Sequence, residues 1–186
     1  MDAHYFIAIS LDSKTKEWLK RIQSNLYHNK SLLYKVWPHE EDFHITLHFF
    51  GSLAKREVVM VVKEMERFKA FEAFPITIGQ LRYFGNKEKP RVIWIDVEKK
   101  QELINIYEEV NNIVEIVNKK TEKRSYSPHI TLAKKWASTE NAKESIEIAV
   151  NNNKEIKNIE INKIALFKIN PNSTPKYEIT KMVEFK

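Results

Sequence analysis

Two copies of one tetrapeptide, His44-Ile45-Thr46-Leu47 and His129-Ile130-Thr131-Leu132, hold the residues of this sequence best suited to chemistry. Side chains alternate across an extended strand, so in each copy the imidazole and the hydroxyl share one face while Ile and Leu take the other. Each copy can thus anchor itself in a core and present a histidine and a threonine outward. Imidazole, with an ordinary pKa of about 6.5, can be neutral in one copy and protonated in the other near neutral pH. On opposite sides of a phosphate, the neutral ring can take a proton from attacking water while the charged one protonates the departing oxygen. The threonine hydroxyls can donate to the non-bridging oxygens, where negative charge sits. This in-line displacement requires neither a covalent intermediate nor a metal. A strained five-membered cyclic phosphate suits it, because ring opening releases strain.

One His-x-Thr in a strand is ordinary sequence and carries little weight alone. The pair matters because the copies lie 85 positions apart, close to half of the 186 residues, at corresponding points of a repeated pattern. His4 to Ser10 reads as a strand ending at Asp12 or Ser13 as a helix N-cap, and Trp18, Ile22 and Leu26 give a helix over 13–28. A strand over Phe43–Phe50 ends at Gly51-Ser52, and the stripe Val58, Val61, Val62, Met65, Phe68 predicts a helix over 55–71. Strands follow near 76–84 and 92–97, separated by the turn-rich 85–90. The order then recurs: a helix over 101–118, a strand from His129, a helix capped by Ser138 or Thr139, and closing strands near 156–169 and 177–185. Two such lobes related by a pseudo-two-fold would bring both imidazoles and both hydroxyls to one cleft.

Metal chemistry is the rival reading of the histidines. The run His39-Glu40-Glu41-Asp42-Phe43-His44 misses the His-Glu-x-x-His spacing, since Phe43 stands four positions on and His44 five. Cysteine is absent, which excludes disulfides, thiolate nucleophiles and Cys-ligated metals. No metal and no cofactor are expected. His48 would share the face of His44 and Thr46 if the strand stays regular, although a strand-end histidine bound within the fold is the plainer expectation.

Lys and Arg exceed Asp and Glu by six, and the pI is about 9.3, a balance that favours polyanionic partners. No Gly/Ser/Pro-rich linker divides the chain, so residues 1–186 read as one unit of two interleaved lobes. The apolar run at Tyr5–Ile9 is too short for a secretory signal, and no stretch approaches the roughly 18 apolar residues of a membrane span. A cytoplasmic protein is expected.

With these residues in view, the sequence resembles the 2H phosphoesterases, and within them the RNA 2′,3′-cyclic phosphodiesterases historically called 2′-5′ RNA ligases. The resemblance runs through Tyr5–Ile9, Trp37, Phe43–Gly51, Pro90–Trp94, Ser127–Lys134 and the segment at Tyr177. It implies an α+β fold, bilobal and duplicated about a pseudo-two-fold, with antiparallel sheets forming a central groove and helices outside. It also implies roles: His44 as proton donor to the leaving 3′ oxygen, His129 as the base that activates water, and Thr46 and Thr131 as phosphate ligands. The implied reaction opens the 2′,3′-cyclic phosphate at an RNA end to a 2′-phosphate. The implied partner is RNA so terminated, tRNA fragments among them, met by a monomer. The family often has Arg five positions after the second histidine, where this chain has Lys134, which keeps the charge without bidentate geometry. Arg124 and Lys134, flanking the second motif, are further candidates for RNA contact. Two alternatives stay open: a phosphodiesterase of 2′-5′-linked or small cyclic nucleotides, and a module that binds RNA ends without turnover.

Overall fold

The computed structural model describes residues 3–29, 31–121 and 125–186. Among them, two antiparallel sheets and four α-helices form the expected α+β fold. The chain runs β1 (His4–Ser10), α1 (Ser13–Tyr27), β2 (Tyr34–Val36), β3 (His44–Ser52), α2 (Lys55–Glu64), β4 (Phe74–Asn86) and β5 (Lys89–Val97). It continues through α3 (Gln101–Ile116), β6 (His129–Trp136), α4 (Lys143–Asn152), β7 (Ile156–Ile161), β8 (Lys163–Ile169) and β9 (Tyr177–Glu184). One sheet has the order β3-β1-β8-β9 and the other β2-β6-β5-β4-β7. Each motif strand pairs with a strand that precedes it in the chain, β3 with β1 and β6 with β5.

Period-2 burial is plain in both motifs: Ile45, Leu47, Ile130 and Leu132 lie in the core, while His44, Thr46, His129 and Thr131 are half-buried. Burying four such branched side chains contributes about 1.5–3 kcal/mol each, so the strands are set by their Ile and Leu residues and the polar pairs are carried with them. A single large core joins both lobes. A smaller cluster of Phe6, Ala8, Ala165 and Phe167 covers the other face of the first sheet, which explains why β1 is apolar on both sides.

Where the elements differ from the sequence reading, the causes are local. Asp12 caps α1 as expected, its carboxylate accepting from the Thr15 amide at 2.8 Å and the Thr15 hydroxyl at 2.7 Å. The helix expected over 55–71 tightens to a 3₁₀ segment at Met65–Ala70, where i and i+3 eclipse and both Met65 and Phe68 reach the core. Ser138 does not cap α4: its hydroxyl accepts from the Glu140 amide in a turn, and the helix starts after Ala142, whose amide donates to the Glu88 carbonyl. The closing stretch 156–169 is two strands, not one. It divides at Asn162, so that β7 joins β4 in one sheet and β8 joins β1 in the other.

At the β4–β7 edge the chains approach too closely for a side chain. Gly79 has φ +153°, and a Cβ there would lie 2.6 Å from the Glu155 carbonyl oxygen and 2.7 Å from Ile156 Cα. Gly79→Ala is expected to destabilise the protein by about 1–3 kcal/mol, read as a lower urea midpoint; an unchanged midpoint would show that the two strands separate at no cost.

Candidate active site

Both histidines stand at the first position of their strands and are oriented by the same hydrogen bond. Nδ1 of His44 donates to the Asp42 carbonyl at 2.7 Å, and Nδ1 of His129 to the Ser127 carbonyl at 2.9 Å. A carbonyl oxygen can only accept, so each neutral ring carries its proton on Nδ1 and keeps Nε2 for proton transfer. In His44 that nitrogen accepts from the Thr46 hydroxyl at 2.9 Å.

A cavity of about 310 Å³ is lined by His44, Thr46, His129, Thr131 and Lys134 together. Five of the six residues singled out in the sequence thus meet at one place. Arg124, the sixth, lies outside the described residues.

Matching bulges shape this cavity. Along β1–β3, Ile7 opposes His48 and Ala8 opposes Thr46, leaving Leu47 as the extra residue. Along β5–β6, Ile93 opposes Ala133 and Trp94 opposes Thr131, leaving Leu132 extra. A bulge interrupts the alternation and re-aims the side chains beyond it. His48 is therefore buried, edge-on to the Phe50 ring at 4.8 Å, and does not line the cavity as a regular strand would have it do. Phe49 and Lys134, at equivalent positions after the two bulges, turn to the cavity instead.

Aromatic rings surround each imidazole. Phe6 and Tyr177 lie 4.8 and 5.3 Å from His44, while Phe84 and Trp94 lie 5.1 and 5.7 Å from His129. Loss of water around the rings disfavours their charged forms. Burial, aided by the charges of Lys134 and His129, pulls His44 down to about 4 against the support of the Asp42 carbonyl. Burial also lowers His129, again opposed by its carbonyl partner. Lys134 is lowered by burial and by its neighbours Lys135 and Lys176. Among the described residues, no group of three or more His, Cys, Asp or Glu is placed to hold a metal ion.

The sequence matches the model of the LigT-like phosphoesterase family twice, over residues 9–94 and again over 95–177. The chain belongs to the LigT-like phosphoesterase family. Its two motif strands fall in separate copies of the match, which is the duplication read from their spacing. An RNA 2′,3′-cyclic phosphodiesterase of Geobacillus stearothermophilus is 30% identical over 181 residues, covering 95% of this chain; the chain spans only 55% of that relative's length. An RNA 2′,3′-cyclic phosphodiesterase of Bacillus subtilis (strain 168) is 28% identical over 181 residues, covering 94% of this chain and 92% of the relative. Escherichia coli LigT, in a crystal structure with 3′-AMP, superposes with a TM-score of 0.79 at 15% identity, covering 100% of this chain and 99% of that one. That likeness establishes the shared fold. Among the described residues, no helix is long and apolar enough to cross a membrane.

Sequence reasoning missed the residue that ties the first motif to the far strand. Asp42 is buried, and its carboxylate accepts from the amides of Lys176 and Tyr177 at 3.0–3.1 Å, across 134 positions of chain. Its own carbonyl holds His44, so one residue orients the imidazole and the strand end carrying the Tyr177 ring against it. Tyr126 likewise joins the halves: its hydroxyl donates to the Thr46 carbonyl at 3.1 Å while its ring stacks on Tyr107 at 4.1 Å. Only an acidic residue just before the first histidine could have signalled the Asp42 clamp; its amide partners are invisible in sequence.

Depressed imidazole pKa values carry a sign that can be checked. Both groups favour the neutral form in the folded chain, so the stability they contribute is complete above about 6.5 and drains as pH falls from there through the folded values. In a ligand-free NMR titration His44 should gain its proton near pH 4 and His129 below its ordinary value, and the melting temperature should drop over the same window. A His44 resonance titrating at an ordinary value of about 6.5 would show that the aromatic surround does not dehydrate the ring.

Proposed function

We propose that this chain hydrolyses the 2′,3′-cyclic phosphate at RNA ends to a 2′-phosphomonoester by acid–base catalysis between His129 and His44. The observation that carries the reading is the identical anchoring of the two rings, each with Nδ1 bound to a carbonyl two residues back, around one cavity shared with Thr46 and Thr131. The names of the Geobacillus and Bacillus relatives supply the substrate class.

Water attacks phosphorus while Nε2 of neutral His129 removes its proton. The P–O3′ bond breaks on the opposite side, and O3′ takes a proton from Nε2 of protonated His44. The product keeps the phosphate on O2′, and the two imidazoles exchange their proton through solvent before the next turnover. Thr46 and Thr131 donate to the non-bridging oxygens, where charge must be stabilised, with the ammonium of Lys134 nearby. In the free protein His44 is neutral and accepts from Thr46. A phosphodiester anion reverses both preferences: it draws the Thr46 hydroxyl to itself, and its negative charge favours the imidazolium. The same reading expects a monomer acting in the cytoplasm on RNA ends, tRNA fragments among them.

His44→Ala and His129→Ala should each lower kcat by about 10²-fold or more on an oligonucleotide ending in a 2′,3′-cyclic phosphate, with the wild-type rate retained in excess EDTA. The 2′-phosphate position is read by ³¹P NMR. Full activity in either variant would overturn the roles. Since both imidazoles are depressed in the free protein, kcat/KM should peak below about 6.5 and fall roughly tenfold per pH unit above it. A profile flat from about pH 5 to 8 with chemistry limiting would exclude a titrating pair.

A further inference from the structure

A second cavity, of about 330 Å³, adjoins the one that holds the imidazoles. The two share Pro38, Asp42, Lys134 and Tyr177 as a common wall. Their chemistry differs. Around the imidazoles the lining is rich in aromatic rings, with Lys134 as its one ammonium. The neighbouring cavity adds Lys20 and Lys176 to Lys134. Its one acidic lining residue is Asp42, whose carboxylate is already bound to two backbone amides. Lys20 pairs with Glu40 at 3.3 Å, but both side chains are largely exposed, and such a pair holds its cation weakly.

This cavity also contains an aromatic corner. The Trp37 indole donates to the Tyr34 carbonyl at 3.1 Å and is half-buried, so the ring is fixed before any ligand arrives. Tyr27 stands perpendicular to it, with centroids 5.3 Å apart and planes at 86°, and is 62% exposed. A flat heterocycle laid on one ring meets the other at its edge. Exposed aromatics beside ammonium groups are what single-stranded nucleic acid requires: a face for the base and charge for the linkage.

We infer that this second cavity is a subsite for the nucleotide on the 5′ side of the reacting end, its base on the Trp37–Tyr27 corner and its phosphodiester near Lys20 and Lys176. The inference rests on the proposed hydrolysis of RNA cyclic-phosphate ends and deepens it. A cyclic mononucleotide has one phosphate, which the imidazole cavity accommodates. The additional lysines meet an anion only when a second phosphate follows. The protein therefore selects oligoribonucleotides over mononucleotides, and the selection resides outside the catalytic pair.

The test compares a 2′,3′-cyclic mononucleotide with a tetraribonucleotide ending in the same cyclic nucleotide, using wild-type protein, Tyr27→Ala and the double variant Lys20→Ala/Lys176→Ala. All three substituted side chains reach the surface, so folding is retained, and circular dichroism verifies it. Wild type is expected to show a higher kcat/KM on the tetranucleotide. Each variant is expected to lose at least about fivefold of it while keeping mononucleotide kcat/KM within about twofold. The double variant should also reduce the salt dependence of tetranucleotide binding, by about 0.7 in log–log slope for each phosphate that is no longer neutralised. Equal losses on both substrates, or no loss on either, would overturn the subsite while leaving the proposed hydrolysis intact. A wild-type protein that hydrolyses neither substrate would overturn the proposed function, and the subsite with it.

Discussion

Two imidazoles can share a proton-transfer reaction only if each is held in one tautomer and one orientation while its remaining nitrogen stays available. In this protein a single backbone hydrogen bond per ring imposes that condition: Nδ1 to the carbonyl two residues upstream, at Asp42 for one and Ser127 for the other. The constraint then propagates. The carbonyls must sit just before a strand, the strand must be fixed by buried Ile and Leu, and the sheets must bring β3 and β6 to the same cavity. Aromatic packing around the rings follows from the same demand, since an imidazole free in water samples both tautomers and every orientation and keeps its ordinary pKa.

Symmetry supplies the frame, and departures from it divide the labour. The bulges after Thr46 and Thr131 are equivalent, yet they deliver Phe49 to one wall and Lys134 to the other. The cavity is apolar on one side and cationic on the other because one position differs between two otherwise matching strands. The same asymmetry acts on the imidazoles: Lys134 adds to the burial that disfavours charge on His44, while burial carries the shift of His129.

The catalytic candidates were legible because strand periodicity and repetition are local properties of sequence. Alternation placed Ile45 and Leu47 inward and His44 and Thr46 outward, and the doubled tetrapeptide signalled a shared cleft. The features that escaped depended on partners far along the chain. The bulge that buries His48 arises from how β3 registers on β1, and nothing in residues 44–50 announces it. Asp42 gains its importance from amides at 176 and 177. The division of 156–169 carries no Gly or Pro, because Asn162 simply marks where one sheet stops and the other begins. Three-residue β2 is too short for any periodicity, yet it covers the edge of β6 and carries Tyr34, whose carbonyl fixes Trp37.

That crossing at Asn162 has a consequence for how the molecule is made. The sheet bearing the first motif is completed by β8 and β9, which are synthesised last, whereas β4, made in the first half, belongs to the second sheet. Neither half of the duplicated chain holds a finished sheet. During translation β1 must wait, paired with β3 on one edge and open on the other, until residues beyond 163 leave the ribosome. The long sequence separations of these pairings make assembly slow relative to helix-rich domains of similar length. The sheet that carries His44 is therefore finished only after the strand that carries His129 has been made, so a chain cut short before residue 163 holds the first motif in an incomplete sheet.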